Sequence, residues 1–230
     1  MNSRTERRHF DGPAGRIEVA LDWPPGPVRG LAFVGHPHPL YGGTLDNKVA
    51  ATLARAFVAL GWLALRPNFR GVGASEGVHD HGEGETADFL HLVAHARDWL
   101  GAQAPAADLP RALAGFSFGS FVAARAARTL AAQHQPVRHL VLVGTAAGKW
   151  PMPEARRDTL VIHGERDETI PLADVLNWAR PLELPVVVLP GADHFFHRRL
   201  GPVKHLVMQH VLAAEALSVH QGVVDAGEAG

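Results

Sequence analysis

Three residues have the side-chain types that covalent catalysis at a hydroxyl group requires: Ser117, Asp167 and His194. A serine hydroxyl is a poor nucleophile until a neighbouring base takes its proton. Histidine can accept and return a proton near neutral pH, and a carboxylate fixes the tautomer of an imidazole and stabilises its cation. We therefore predict that Ser117 is a nucleophile, that His194 is its base, and that Asp167 orients the base.

Ser117 stands at the centre of a Gly-x-Ser-x-Gly motif that runs from Gly115 to Gly119. A short apolar run precedes the motif, and an alanine-rich run from Ser120 to Ala132 follows it. This pattern predicts a strand, a sharp turn and a helix, with the serine in a strained backbone conformation. The two glycines have no Cβ atom, so the strand and the helix can approach closely. The free N–H groups at the start of the helix would face the developing negative charge.

Asp167 and His194 each follow a predicted buried strand, over residues 159–163 and 186–189. In an open parallel sheet, the groups that bind ligands collect at the carboxyl ends of the strands. We therefore expect both side chains to lie at the edge of the sheet that carries Ser117. Glu165 and Glu168 lie in the same loop as Asp167 and remain alternatives to it.

The oxyanion that forms during nucleophilic attack needs two N–H donors. One is expected from the backbone of Phe118, directly after the nucleophile, and the other from the loop after the predicted strand over residues 30–35. That loop begins with His36-Pro-His-Pro. Because proline has no N–H group, His38 is the expected second donor, and Leu40 and Tyr41 are less favoured alternatives.

Fifteen histidines raise the question of metal binding. His36 and His38 could be metal ligands, but two histidines spaced i, i+2 without an acidic cluster support this weakly. We predict neither a metal nor a cofactor. Two further histidine pairs are expected to be solvated rather than bound to metal: His79 with His81, and His91 with His95.

Apolar and helical runs alternate along most of the chain. Strands are predicted at residues 9–10, 16–22, 30–35, 62–65, 139–143, 159–163 and 186–189, with one more leading into Gly115. Helices are predicted at residues 45–60 (with Thr44 as its N-cap), 83–100, 120–132, 172–179 and 201–216. We therefore predict one α/β domain over residues 1–230, with a frayed tail over 219–230. Its sheet is expected to be mostly parallel and doubly wound, with an antiparallel N-terminal edge.

Composition excludes several classes of function. Apolar residues make up 47% of the chain, and the formal net charge is −1. We therefore expect a globular protein without a nucleic-acid or membrane partner. The absence of cysteine excludes disulfides and a thiolate nucleophile. The charged N-terminus has no apolar run behind it, which favours a cytoplasmic location. No feature of the sequence sets an oligomeric state.

The Gly-x-Ser-x-Gly turn and the chain order Ser117, Asp167, His194 resemble the α/β-hydrolase superfamily over roughly Ile17 to Val211. The segments His36-Pro-His-Pro-Leu-Tyr-Gly-Gly-Thr and Phe69-Arg-Gly-Val-Gly-Ala-Ser-Glu-Gly are similar to those of small bacterial hydrolases without a lid domain. Members of that group are described as esterase-like. The resemblance implies Ser117, Asp167 and His194 as the catalytic triad. The dienelactone hydrolases are similar in size, but they use cysteine at the nucleophile position.

Residues 145–158 are too few to form the helical cap that lipase-type and epoxide-hydrolase-type members carry between the corresponding strands. We therefore expect an open site without a cap, rimmed by Tyr41, Trp150 and Phe195. Such a site favours small or short-chain esters and thioesters as substrates. Two alternatives remain: a peptidase for short peptides, and a non-catalytic ligand-binding protein on the same fold.

Overall fold

The computed structural model describes residues 4–101 and 109–228. Its centre is an eight-stranded sheet in the order β1-β2-β4-β3-β5-β6-β7-β8. The strands are β1 (Arg4–Gly12), β2 (Gly15–Trp23), β3 (Gly30–Gly35), β4 (Trp62–Pro67), β5 (Arg111–Phe116), β6 (His139–Val143), β7 (Leu160–Gly164) and β8 (Val186–Leu189).

The first two strands form an antiparallel hairpin, and β2 pairs antiparallel with β4. All other neighbouring strands are parallel. This confirms the predicted mostly parallel sheet with an antiparallel N-terminal edge. The central strands are continuous apolar runs because helices cover both faces of the sheet; every residue of β3 is buried.

Five helices cover the sheet: α1 (Lys48–Ala59), α2 (Glu83–Leu100), α3 (Phe118–Ala132), α4 (Leu172–Ala179) and α5 (Leu200–Glu228). Apolar side chains of α1 and α5 pack on one face of the sheet, and those of α2, α3 and α4 pack on the other. The two cores hold the strands in place, so that the loops at the carboxyl ends of β3 to β8 meet at one edge.

The start of α1 differs from the prediction. The helix begins at Lys48 and not at Leu45, since the side-chain oxygen of Asn47 accepts hydrogen bonds from the N–H groups of Val49 (2.9 Å) and Ala50 (3.2 Å). The predicted cap, Thr44, accepts a hydrogen bond from Asp46 instead (3.2 Å). Asn47 is therefore the N-cap.

Two other helix boundaries also differ. The helix predicted from Ser120 begins at Phe118, directly after the turn at Ser117. The last helix, α5, continues past the predicted end at residue 216 to Glu228, so the tail predicted to fray from residue 219 is helical as far as residue 228. Alanine, leucine, glutamine and glutamate in this stretch are all good helix formers.

Candidate active site

The turn between β5 and α3 places Ser117 at the carboxyl edge of the sheet. Its backbone has φ 54° and ψ −122°, a left-handed region that non-glycine residues rarely adopt. Hydrogen bonds hold the turn on both sides: the N–H of Ser117 donates to the carbonyl of Val143 (3.0 Å), and the hydroxyl of Ser120 donates to the carbonyl of Ser117 (2.6 Å). The Ser120 hydroxyl also accepts from the N–H of Ala146 (3.0 Å). Ser120 therefore ties the turn to the loop after β6.

Glycines at the turn allow three elements to touch. A Cβ atom on Gly119 would lie 2.4 Å from the carbonyl oxygen of Gly35, at the end of β3. A Cβ atom on Gly115 would lie 2.0 Å from the carbonyl oxygen of Gly119. Real Cβ atoms do not approach backbone this closely, so β3, β5 and α3 can meet here only through glycine.

The structure brings Ser117, His194 and Asp167 together. The Nε2 atom of His194 lies 3.1 Å from Oγ of Ser117, and its Nδ1 atom lies 2.7 Å from Oδ2 of Asp167. In the tautomer that satisfies both contacts, Nδ1–H donates to the carboxylate and Nε2 accepts from the hydroxyl. All three residues are buried, with Ser117 9% exposed. The serine proton therefore has a direct path to an oriented base.

Asp167 is the acid of its loop that reaches His194. Its Oδ1 atom accepts hydrogen bonds from the N–H groups of Thr169 (2.9 Å) and Ile170 (2.7 Å), which stabilise the ionised carboxylate. The alternative Glu165 instead accepts from the N–H of Gly191 (2.7 Å), and Glu168 is exposed.

His163, at the end of β7, was not identified as a site residue from the sequence. Its Nε2 atom donates to the carbonyl of Ile170 (2.9 Å) and lies 3.4 Å from Oδ2 of Asp167. Burial lowers the pKa of His163 below its ordinary value and so favours the neutral ring. The side chain supports the loop that carries Asp167. The only signal in the sequence is a polar residue at the end of a buried strand.

The two predicted oxyanion donors have N–H groups without an acceptor in the described part of the chain: Phe118, at the start of α3, and His38. The alternatives are occupied, because the N–H of Leu40 donates to Nδ1 of His38 (3.2 Å) and the N–H of Tyr41 donates to the carbonyl of His38 (3.1 Å). The geometry thus favours His38 among the residues of this loop.

His36 links the loop after β3 to the loop after β4. Its Nδ1 atom donates to the carbonyl of Pro37 (2.6 Å), and its Nε2 atom accepts from the N–H of Phe69 (2.9 Å). Complete burial lowers the pKa of His36 to about 4. Both ring nitrogens are engaged, which contradicts the alternative of a metal site at His36. Burial also lowers the pKa of His38, and the neighbouring His79 adds to this effect.

His79 is not solvated, contrary to the sequence-based expectation. Its side chain is 7% exposed, and Nδ1 lies 2.7 Å from Oε1 of the fully buried Glu85. The ring centroid of His79 lies 4.8 Å from that of His38. Its partner in the sequence motif, His81, is exposed. Glu85 can hold His79 in place because it anchors the first turn of α2, where its carboxylate accepts from the N–H of Gly82 (2.8 Å).

The pair His91 and His95 is partly buried, with ring centroids 4.1 Å apart. The prediction that these two side chains are solvated is therefore only partly met. Across residues 4–101 and 109–228, no group of three histidine, aspartate or glutamate side chains is arranged to hold a metal ion.

The predicted rim residues lie on two sides of the triad. The ring centroid of Trp150 lies 4.8 Å from that of Phe118, and the ring of Tyr41, which is 87% exposed, lies 4.7 Å from that of His38. On the other side, the half-exposed ring of Phe195 lies 5.1 Å from that of His194. Residues 145–158 between β6 and β7 form no helix, so they build no helical cap over the site.

Comparison with known proteins gives three matches over nearly the whole chain. A solved α/β serine hydrolase without a lid, from Xanthomonas campestris, is 34% identical with a TM-score of 0.79, covering 93% of this chain and 96% of that one. An α/β serine hydrolase homologue from Coxiella burnetii is 34% identical with a TM-score of 0.73, covering 91% and 98%. An uncharacterised protein of Rickettsia prowazekii is 28% identical over 94% of this chain and 93% of its own length.

A family model described as a Thioesterase domain matches residues 64–172. The matched range includes Ser117 and Asp167 and ends before His194. None of the helices described here is long and apolar enough to cross a lipid bilayer.

Proposed function

Because the chain belongs to the α/β serine hydrolases without a lid, we propose that it cleaves carboxylic esters or thioesters of small or short-chain acyl groups through an acyl-enzyme. The observation that carries this proposal is the continuous contact from Ser117 through His194 to Asp167, at 3.1 and 2.7 Å.

In the first half of the reaction, Oγ of Ser117 attacks the carbonyl carbon of the substrate while its proton passes to Nε2 of His194. Asp167 stabilises the imidazolium that forms. The tetrahedral intermediate collapses, the alcohol or thiol leaves with the proton from His194, and the acyl group stays on Ser117. Water then attacks the acyl-enzyme by the same route and releases the acid.

The negative charge of both tetrahedral intermediates falls on the former carbonyl oxygen. In the proposed mechanism, the N–H groups of Phe118 and His38 donate to this oxygen. Two features support this role: both N–H groups lack another acceptor within the described ranges, and His36 and the prolines beside it fix the loop that carries His38. A preformed pair of donors needs little rearrangement at the moment of reaction.

The open rim supports the choice of small substrates. Tyr41 and Phe195 expose their rings beside the site, and residues 145–158 fold no helix above it. A long acyl chain would therefore remain largely in water. We propose Tyr41, Trp150 and Phe195 as substrate contacts. The predicted cytoplasmic location, the absence of nucleic-acid and membrane partners and the single domain over residues 1–230 stay predictions.

The first test is the Ser117→Ala variant, assayed with p-nitrophenyl esters of short and long acids and with a fluorophosphonate label. We expect kcat to fall by about 10⁶-fold, as in a comparable triad, and labelling to be lost. Wild-type turnover of short-chain esters but not of peptide amides would separate the esterase from a peptidase. A folded wild-type protein that neither takes the label nor hydrolyses any ester would favour a ligand-binding protein.

A further inference from the structure

A groove of about 480 Å³ lies beside the triad, between the loop that leads into α1 and the loop that leads into α5. Its wall includes Gly42 and Lys48 on one side and Phe195 and Arg198 on the other. Phe195 directly follows His194, and its ring contacts the imidazole at 5.1 Å between centroids. The groove therefore opens next to the base of the proposed triad.

The charges around this groove leave a positive surplus. The carboxylate of Asp46 lies 2.6 Å from the guanidinium of Arg7, and the carboxylate of Asp193 lies 2.6 Å from Nδ1 of His197. The cationic groups of Lys48 and Arg198 are exposed, and neither has an ion-pair partner within residues 4–101 and 109–228. Two unneutralised cations thus line a groove whose acidic residues are already paired.

The backbone on the Phe195 side is held in an unusual conformation. Phe196 has φ 53° and Arg198 has φ 60°, although neither residue is glycine. Such conformations cost free energy, and they persist only where the surroundings impose them, often at sites that bind ligands. Here the fully buried Phe196 anchors the segment, and Phe195 and Arg198 on either side of it line the groove.

We propose that this groove binds an anionic group, a carboxylate or a phosphate, of the ester or thioester that Ser117 cleaves. Lys48 and Arg198 would attract the anion, and Phe195 would cover the apolar part of the substrate between the anion and the scissile bond. This inference rests on the proposed hydrolase function and narrows its substrate class to small esters that carry a negative charge.

The test compares matched anionic and neutral esters. Monophenyl glutarate and phenyl pentanoate differ by a carboxylate in the acyl part, while 4-carboxyphenyl acetate and phenyl acetate differ by a carboxylate in the leaving group. For each pair, the ratio of kcat/KM for the anionic ester to that for the neutral one is measured after subtraction of the uncatalysed rate. We expect at least one ratio to exceed one at low salt and to fall toward one at 1 M salt, where the Debye length is only about 3 Å.

Two substitutions then assign the preference to the groove. Lys48→Met and Arg198→Asn each remove one cation; asparagine tolerates the positive φ at position 198, and loss of a positive charge at the N-terminus of α1 does not harm that helix. We expect each variant to lower the anionic-to-neutral ratio roughly two- to five-fold, as for an exposed charge pair. Arg128→Met, which removes an exposed cation far along α3, is the matched control and should leave the ratio unchanged.

The outcomes separate the two proposals. Ratios at or below one for both pairs, or a preference that survives in the double variant, would overturn the anionic-substrate inference while Ser117-dependent hydrolysis still stands. Hydrolysis of the neutral esters that persists in Ser117→Ala would instead contradict the proposed function itself. The pair that shows the preference identifies the acyl or the leaving-group side of the substrate.

Discussion

At the scale of single residues, the site depends on polar side chains that hold loops and do not touch the reacting atoms in the proposed mechanism. His36 is the clearest case, because its two ring nitrogens join the carbonyl of Pro37 to the N–H of Phe69. Burial keeps the ring neutral, so one nitrogen donates and the other accepts. The proposed position of the His38 N–H group therefore depends on His36.

We predict that His36→Leu loses both stability and activity. The substitution leaves two buried backbone groups without partners, which costs about 2–5 kcal/mol in total. Misplacement of the His38 N–H group should lower kcat by about 10²-fold, the usual effect of removing one oxyanion donor. Urea unfolding and ester kinetics at a temperature where the variant is folded would measure the two effects.

The control for this prediction is His139→Leu, which removes another buried histidine whose pKa burial also lowers to about 4. His139 opens β6 at the end of the sheet away from the triad, so kcat should change little. A folded His36→Leu protein with wild-type kcat would show that the loop holds His38 without the imidazole.

The sequence was sufficient to predict the residues that now lie in contact, since their types are rare in combination and each follows an apolar strand. The supporting residues could not be predicted in the same way. His36 bonds to Phe69, and Ser120 bonds to Ala146, across loops that only the sheet brings together. His79 could be misjudged as solvated because its burial depends on Glu85, which becomes a neighbour only when α2 forms.

At the scale of elements, the close packing of β3, β5 and α3 at two glycines should be the least tolerant feature of the fold. We predict that Gly119→Ala destabilises the protein by several kcal/mol, typical of overpacking, and abolishes ester hydrolysis. The added Cβ atom would lie 2.4 Å from backbone at Gly35, which cannot move without shifting a central strand. Thermal unfolding and kcat/KM would measure the effect.

Gly201→Ala provides the matched comparison, because a Cβ atom at this position in α5 meets nothing within 4 Å. Alanine there should leave activity unchanged and could only favour the helix, by up to about 1 kcal/mol. If Gly119→Ala were as stable and active as Gly201→Ala, close approach would not explain the glycines of the turn.

Element boundaries show what local sequence patterns leave out. The central strands were predicted almost to the residue, because continuous apolar runs are their own signal. The start of α1 was not, since both Thr44 and Asn47 are good N-caps. The choice is made by distant residues: the N–H of Leu45 donates to Oδ1 of Asn68 (2.8 Å), and its carbonyl accepts from the guanidinium of Arg66. These bonds keep Leu45 out of the helix.

At the scale of the whole molecule, buried histidines make the stability of the fold depend on pH. Burial lowers the pKa of His36 and of His139 to about 4, and it also lowers the pKa values of His163 and His210. The unfolded chain binds a proton at each of these residues near pH 6.5. Between about pH 6.5 and pH 4 the unfolded state therefore holds more protons than the folded state, and stability falls as the pH falls.

His139 allows this dependence to be measured at one residue. Its ring stacks on Trp62 at 5.5 Å between centroids, its Nε2 atom has no hydrogen-bond partner in the described structure, and His210 and Arg138 add to the effect of burial on its pKa. In His139→Leu the extra proton of the unfolded state is gone. Between pH 7.5 and pH 5, wild-type protein should lose up to about 2 kcal/mol more unfolding free energy than this variant. Urea titrations at both pH values measure the difference, and equal losses in the two proteins would mean that His139 is protonated as readily in the folded state as in the unfolded one.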